Sequence, residues 1–185
     1  KLLQARWAQI NYPTPETERE KGFAKVTAEA ATMVRNAPAA ELMSWRGIIL
    51  STYAGAKGGL GALDLVKQAK ATLEQAIKVD PTALDGSAYT SLGALYYQVP
   101  GWPVGFGDDE QAEVLLKKAL TMNPDGIDPN YFYGDFLFRD ERYAEADVAL
   151  GKALKAPDRP GREVADSGRR AEAKALLVKV RSKLD

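Results

Sequence analysis

The chain has 185 residues, 25 basic against 25 acidic side chains, 45% hydrophobic residues, and neither Cys nor His. That length suits one domain with a real core, and the balanced charge supplies no overall field for nucleic acid. Without Cys or His there is no thiolate nucleophile, no Ser-His-Asp triad, no His general base and no zinc site with nitrogen or sulfur ligands.

Residues 1–12 carry Leu2, Leu3, Ala5, Trp7, Ala8 and Ile10 in a weak helical pattern. Thr14 reads as an N-cap with Pro15 at the first helical position, opening a helix to about Asn36. Its apolar face is Phe23, Val26, Ala30 and Met33. Helices are then predicted over about 38–53, 62–79, 85–98, 109–122, 128–139 and 143–155. Asp108 is expected to cap the 109–122 helix, with Gln111 three residues on, and Asp128-Pro129 to open the next. The last helix is predicted from Asp166 or Ser167 to about Lys183, with Arg169, Arg170, Lys174 and Arg181 forming a solvent-facing polar side. No strand pattern emerges, and no apolar run approaches the ~18 residues of a membrane helix. The chain opens on Lys1 rather than Met, so it is expected to be a processed or trimmed product.

Three of these helix pairs carry one signature. Gly47, Ala69, Leu73, Ala76 and Pro81 form the first set. Gly93, Ala112, Leu116, Ala119 and Pro124 form the second, and Gly134, Ala146, Leu150, Ala153 and Pro157 the third. A small residue on the first helix of each pair, facing Ala-x-x-x-Leu-x-x-Ala on the second, is how a tetratricopeptide repeat reads. The expected fold is therefore all-α, a solenoid of antiparallel helix pairs. It comprises a degenerate element over 1–38, repeats over 39–81, 86–124 and 127–157, and a capping helix over 166–184. Gly134 and Ala146 are 12 residues apart, as an uninterrupted repeat requires, whereas the corresponding intervals are 19 and 22 in the second and first sets. The extra residues are Gly-rich loops over 55–61 and 99–107, expected on the same edge of the stack. The 55–61 stretch lacks the Gly-Lys-Ser/Thr ending of a phosphate loop and reads as structural.

The concave face of such a stack is lined by the second, fifth, ninth and twelfth positions of each first helix. These are Glu41, Ser44, Ile48 and Ser51, then Ser87, Thr90, Ala94 and Tyr97, then Asp128, Tyr131, Asp135 and Phe138. None is Lys, Arg or Asn, so a two-carboxylate clamp for peptide tails is absent. Tyr97, Tyr131, Asp135 and Phe138 are candidate binding residues, although aromatics at this spacing also serve as core. Trp102 and Phe106 sit in a loop stiffened by two prolines, placed either to grip a ligand or to anchor the loop. Arg162 and Arg169 belong to the one basic concentration, with Arg159 and Arg170, suited either to an anion or to internal pairing with Asp158, Glu163 and Asp166. The acids at 108–110, 125 and 128 stand where helix starts favour them. No catalytic residue, metal or cofactor is expected.

Several phrases go beyond a generic repeat: Trp45-Arg46-Gly47-Ile48, Gly86-Ser87-Ala88-Tyr89-Thr90-Ser91-Leu92-Gly93, Gln98-Val99-Pro100-Gly101-Trp102-Pro103, Gly126-Ile127-Asp128-Pro129-Asn130-Tyr131 and Ala165-Asp166-Ser167-Gly168-Arg169-Arg170. Over roughly residues 15–180 the chain resembles bacterial TPR proteins grouped with the T component of TPR-associated TRAP transporters (TatT-like). The resemblance implies a periplasmic or envelope-associated scaffold that docks a solute-binding protein and forms homo-oligomers. The residues themselves leave a second reading open: a small-molecule binder, with a pocket for a carboxylate or apolar ligand between the inserted loops and Tyr131.

Overall fold

The computed structural model describes residues 1–184, and among these every regular element is helical. The helices are α1 (Leu2–Asn11), α2 (Glu16–Asn36), α3 (Ala40–Lys57), α4 (Gly59–Val79), α5 (Ala83–Gln98), α6 (Asp109–Met122), α7 (Ile127–Arg139), α8 (Tyr143–Lys155) and α9 (Glu163–Arg181). No helix among the described residues is long and apolar enough to cross a membrane.

The closest pairings are α3 with α4, α5 with α6, and α7 with α8. Each is an antiparallel pair zipped by the same three residue types. An added Cβ on Gly93 would lie 2.8 Å from Leu116 Cγ, and one on Gly134 would lie 2.7 Å from Leu150 Cγ. Gly47 meets Leu73 in the same way. The alanines at 69, 76, 112, 119, 146 and 153 have no exposed surface, so the second helix of each pair lies flush against the first. The leucines thus fill the space within a pair, each pressing on its own glycine. The first helices also touch in succession: α3 packs on α5, α5 on α7 and α7 on α9.

Several predicted boundaries shift for local reasons. The 55–61 loop does not exist as a loop. Ala54 to Lys57 continue α3, and the chain reverses on Gly58 and Gly59, whose φ values of 64° and 60° are left-handed. α5 opens on another left-handed turn, Leu84–Gly86, where a Cβ on Gly86 would approach Met122 Sδ to 2.7 Å. Asp108 does cap α6, its carboxylate accepting from Gln111 N, but its own N–H donates to Tyr96 O and ties the inserted loop back to α5.

Other expected caps take different work. Thr14 does not cap α2. Pro15 holds that position, and the Thr14 hydroxyl donates to Gln9 O at the end of α1. Gly126, not Asp128, precedes α7, and α9 begins three residues before Asp166. Both aspartates therefore lie inside a first turn, and their carboxylates are free to pair with arginines.

The helix α1 has no counterpart in the repeat pattern. It packs against α2 and α3 and then reaches α9. Gly22 receives Ile10, and Gly168, in the middle of α9, lies against the Tyr12 ring, where any side chain would collide. The first and last parts of the chain are thus joined across the inner side of the helix array.

Candidate functional site

On that inner side α1, α2, α3, α5, α7 and α9 enclose a cavity of about 620 Å³. This is the size of a pocket for a metabolite-sized molecule rather than for an extended peptide. Eight concave-face positions expected from the repeat register line it: Ile48, Ser51, Ser87, Thr90, Ala94, Asp128, Tyr131 and Asp135. Three kinds of wall meet there. One is aromatic and apolar, with Trp7, Phe23, Trp45 and Ile48; one bears small hydroxyls, with Ser51, Thr52, Ser87, Thr90 and Ser91; one is ionic, on α7 and α9.

Repeat position explains the hydroxyl wall. Ser51 and Thr52 bond to carbonyls four residues back, at Gly47 and Ile48, which lets these polar groups face the cavity from inside a helix. Trp7 is fixed by its indole N–H, which donates to Thr52 Oγ1 at 3.0 Å, and by its tilted contact with Trp45 at 5.9 Å between centroids.

The ionic wall centres on Asp128. Its Oδ1 accepts from Arg169 Nε at 2.9 Å and its Oδ2 from Arg159 Nη1 at 2.7 Å. Burial alone would raise this carboxyl, but Arg169, Arg159 and Arg162 together hold it down at about 2. Arg159 is also held by the buried Asp166, through Nε at 2.8 Å. Arg169 is not a solvent-facing residue of a capping helix. It is 8% exposed, donates from Nη1 to Glu172 Oε2 at 2.7 Å, and lies 4.6 Å from the centroids of both Tyr131 and Phe132. It turns inward because α9 packs on α7, where Asp128 and the two rings offer charge and π-surface together. Burial raises the Tyr131 phenol to about 12, so it is a neutral donor at the cavity wall.

Arg162 differs from both neighbours. It precedes α9, and its guanidinium carbon sits 5.5 Å over the Trp45 ring. Its side chain is 19% exposed, and its nearest carboxylate oxygen is Asp128 Oδ2 at 3.9 Å, beyond hydrogen-bond distance. Its Nε is buried without an acceptor among the described residues. Burial, then the charge of Arg159, lower its pKa. It lines the large cavity on one side and, on the other, a smaller one of about 180 Å³ between α1 and the start of α9.

The candidate residues therefore divide. Tyr131, Asp135, Arg162 and Arg169 come together around the cavity. Tyr97 stands behind them, its hydroxyl donating to Asp135 Oδ2 at 2.8 Å while Arg139 covers its ring at 5.1 Å. Phe138 faces away, tilted against Tyr143. The inserted loop over 99–107 contributes nothing to the cavity. There Phe106 is the anchor, edge-on to Tyr96 at 5.5 Å and near Lys70, while Trp102 is 90% exposed. The pocket expected between the two inserted segments and Tyr131 is thus displaced inward, keeping Tyr131 and the Gly55-Ala56 end of α3 and losing Trp102.

The sequence pattern gave no binding role to Trp7, Trp45, Arg19 or Glu172, all of which line the cavity. One signal for α1 was present. Gly22 and Gly168 interrupt helices outside the repeat register, and each is the footprint of a residue at the end of α1. Among the described residues no group of three or more acidic side chains is gathered to hold a metal ion. In comparisons with known proteins, no family model and no curated sequence matches the chain.

Proposed function

We propose that this chain is a non-catalytic binding protein of the tetratricopeptide type whose concave face holds a small ligand. The observation that carries the reading is the cavity itself, in which eight of the concave-face positions converge with two tryptophans and four arginines. The glycine-leucine seams support the tetratricopeptide assignment, since they recur at one register in three helix pairs. The state of the acids supports binding over catalysis. Asp128 sits near a pKa of 2, ionised and engaged by arginines, rather than raised toward neutrality as a general acid would be.

Native mass spectrometry of the gently purified protein, with a thermal-shift series of small apolar and acidic compounds, tests this. Ser91→Trp, which fills the cavity from α5, should remove bound mass and thermal shifts while leaving the helical circular dichroism intact. Ligand shifts that survive in that variant would place binding elsewhere and overturn the reading.

A second reading has its own observation. Trp102, 90% exposed, and Val104, 58% exposed, stand on a loop whose base is held by Phe106 and by Asp108 N–H to Tyr96 O. Exposed indoles on fixed loops act as anchors for protein partners. The resemblance to TRAP-associated proteins makes a periplasmic solute-binding protein the partner to try. Trp102→Ala should lower affinity in a pairwise binding titration without changing the melting temperature. Unchanged affinity would remove the loop from the interface.

A further inference from the structure

We propose that the cavity takes an organic monocarboxylate with a flat or apolar body, its carboxylate held by Arg162 and its body laid against Trp45, Trp7 and Ile48. This rests on the cavity reading and adds the ligand's chemical class.

Three observations converge on Arg162. First, the hydrogen bonds of the ionic wall close without it: Asp128 and Asp166 are satisfied by Arg159 and Arg169, and Glu172 by Arg169. Second, Arg162 makes no side-chain hydrogen bond among the described residues, although its side chain is only 19% exposed. A guanidinium carries five donors in a planar fork, and removing it from water without an acceptor is costly. Third, the group is aimed rather than loose. Its guanidinium carbon lies 5.5 Å from the centroid of the Trp45 ring, and both residues line the cavity. A cation so little exposed, with only a long 3.9 Å ion pair to Asp128 and no hydrogen-bond acceptor among the described residues, is open to an acceptor brought by a ligand.

The partner chemistry follows from geometry. The guanidinium fork matches a carboxylate in two parallel bonds. Asp128 does not repel such a ligand strongly, because its oxygens already accept from Arg159 and Arg169. The remaining walls offer rings and small hydroxyls. Of the cavity's four arginines, Arg139 and Arg169 pair with carboxylates and Arg19 donates from Nε to Thr14 O, so Arg162 is the one whose side chain makes no hydrogen bond among the described residues. One such fork among rings favours a singly charged, largely apolar acid over a polyanion such as a nucleotide.

Isothermal titration with matched probes tests this: indole-3-acetate and phenylacetate against their neutral primary amides. A charge-assisted pair of hydrogen bonds is worth about 10- to 100-fold in affinity, so the acids should bind more tightly than the amides by that factor. Arg162→Gln should remove that difference, and Arg162→Lys should keep part of it. Because the Arg162 side chain makes no hydrogen bond among the described residues, both variants should retain the parent's melting behaviour, which guards against misfolding as the cause. Equal binding of acid and amide, or an acid preference that survives in Arg162→Gln, would overturn the carboxylate assignment and leave the cavity reading standing. Absence of binding by all four probes, together with no ligand-induced shift in the wider series, would overturn both.

Discussion

The seams between paired helices and the wall of the cavity share three helices, α3, α5 and α7, and they obey opposite rules. At the seams the residues repeat: Gly47, Gly93 and Gly134 meet Leu73, Leu116 and Leu150, and all three leucines are fully buried. One residue further along the first helices the residues diverge, with Ile48, Ala94 and Asp135 at one register position. The seam is a solution to helix packing and needs no variation from pair to pair. The wall is freed by the seam to vary, and its residues set the chemistry of the cavity. Repetition within this chain thus marks structure, and departure from repetition marks the site.

The largest test of that contrast is at the seam. Gly93→Leu inserts a side chain where even a Cβ has 2.8 Å to Leu116, and should cost about 3 kcal/mol or more, read as a fall in the urea midpoint. Ser91→Trp, two residues away on the wall, should cost far less because it grows into the cavity. Equal losses would mean that wall and seam are not separable.

The ionic wall comes next. Arg169→Met leaves Glu172 without its 2.7 Å partner and Asp128 with one fewer, and should cost about 3 kcal/mol by the same measurement. Acid gives a related but smaller effect. The Asp128 carboxyl is held at about 2 in the folded chain against an ordinary 3.8. Its contribution is therefore complete above pH ~4, and is lost as the pH falls from about 4 to 2. The amount is about 2 kcal/mol by linkage. Asp128→Asn should flatten that portion of the acid unfolding curve. A curve of unchanged steepness would show that Asp128 is not held by its arginines in solution. Smaller again is Gly168→Leu, which meets the Tyr12 ring. It should lift α1 from α9 at a cost of about 1 kcal/mol, seen as faster amide exchange confined to residues 2–12.

What was legible in the sequence follows the same division. Helices α6 and α8 were predicted residue for residue, because Asp108 and the regular Ala-x-x-x-Leu-x-x-Ala spacing are local signals. The 55–61 segment was misread as a loop because two left-handed glycines suffice to reverse the chain, and Gly55 can remain helical. Asp128 was given a cap role and Arg169 a solvent-facing side, local preferences that lost to their pairing across 41 residues of chain, whereas internal pairing of Asp166 with the arginines around it was one of the two uses the residues offered, and Arg159 makes it. The groove register found eight of the residues that line the cavity, since it follows from the repeat. The walls supplied by α1 and α9 lay outside it, because their docking depends on tertiary contacts that only Gly22 and Gly168 betrayed.

The smallest expected effect on stability is the one that separates the two arginines most sharply. Arg162 and Arg169 are seven residues apart, both face the cavity, and both lie over aromatic rings. Arg169 returns two charge-assisted hydrogen bonds for its burial, and Arg162 returns none among the described residues. Replacing a buried charge by an apolar chain of similar length is costly only where the charge was paired. Arg162→Met should therefore change stability by less than about 1 kcal/mol, or raise it, while Arg169→Met lowers it several-fold more. The stem of methionine preserves the contact with Trp45, so a loss cannot be assigned to a missing wall. A large destabilisation by Arg162→Met would mean that Asp128, at 3.9 Å, draws real support from Arg162, and that the ionic wall is one closed structural network with no cation to spare.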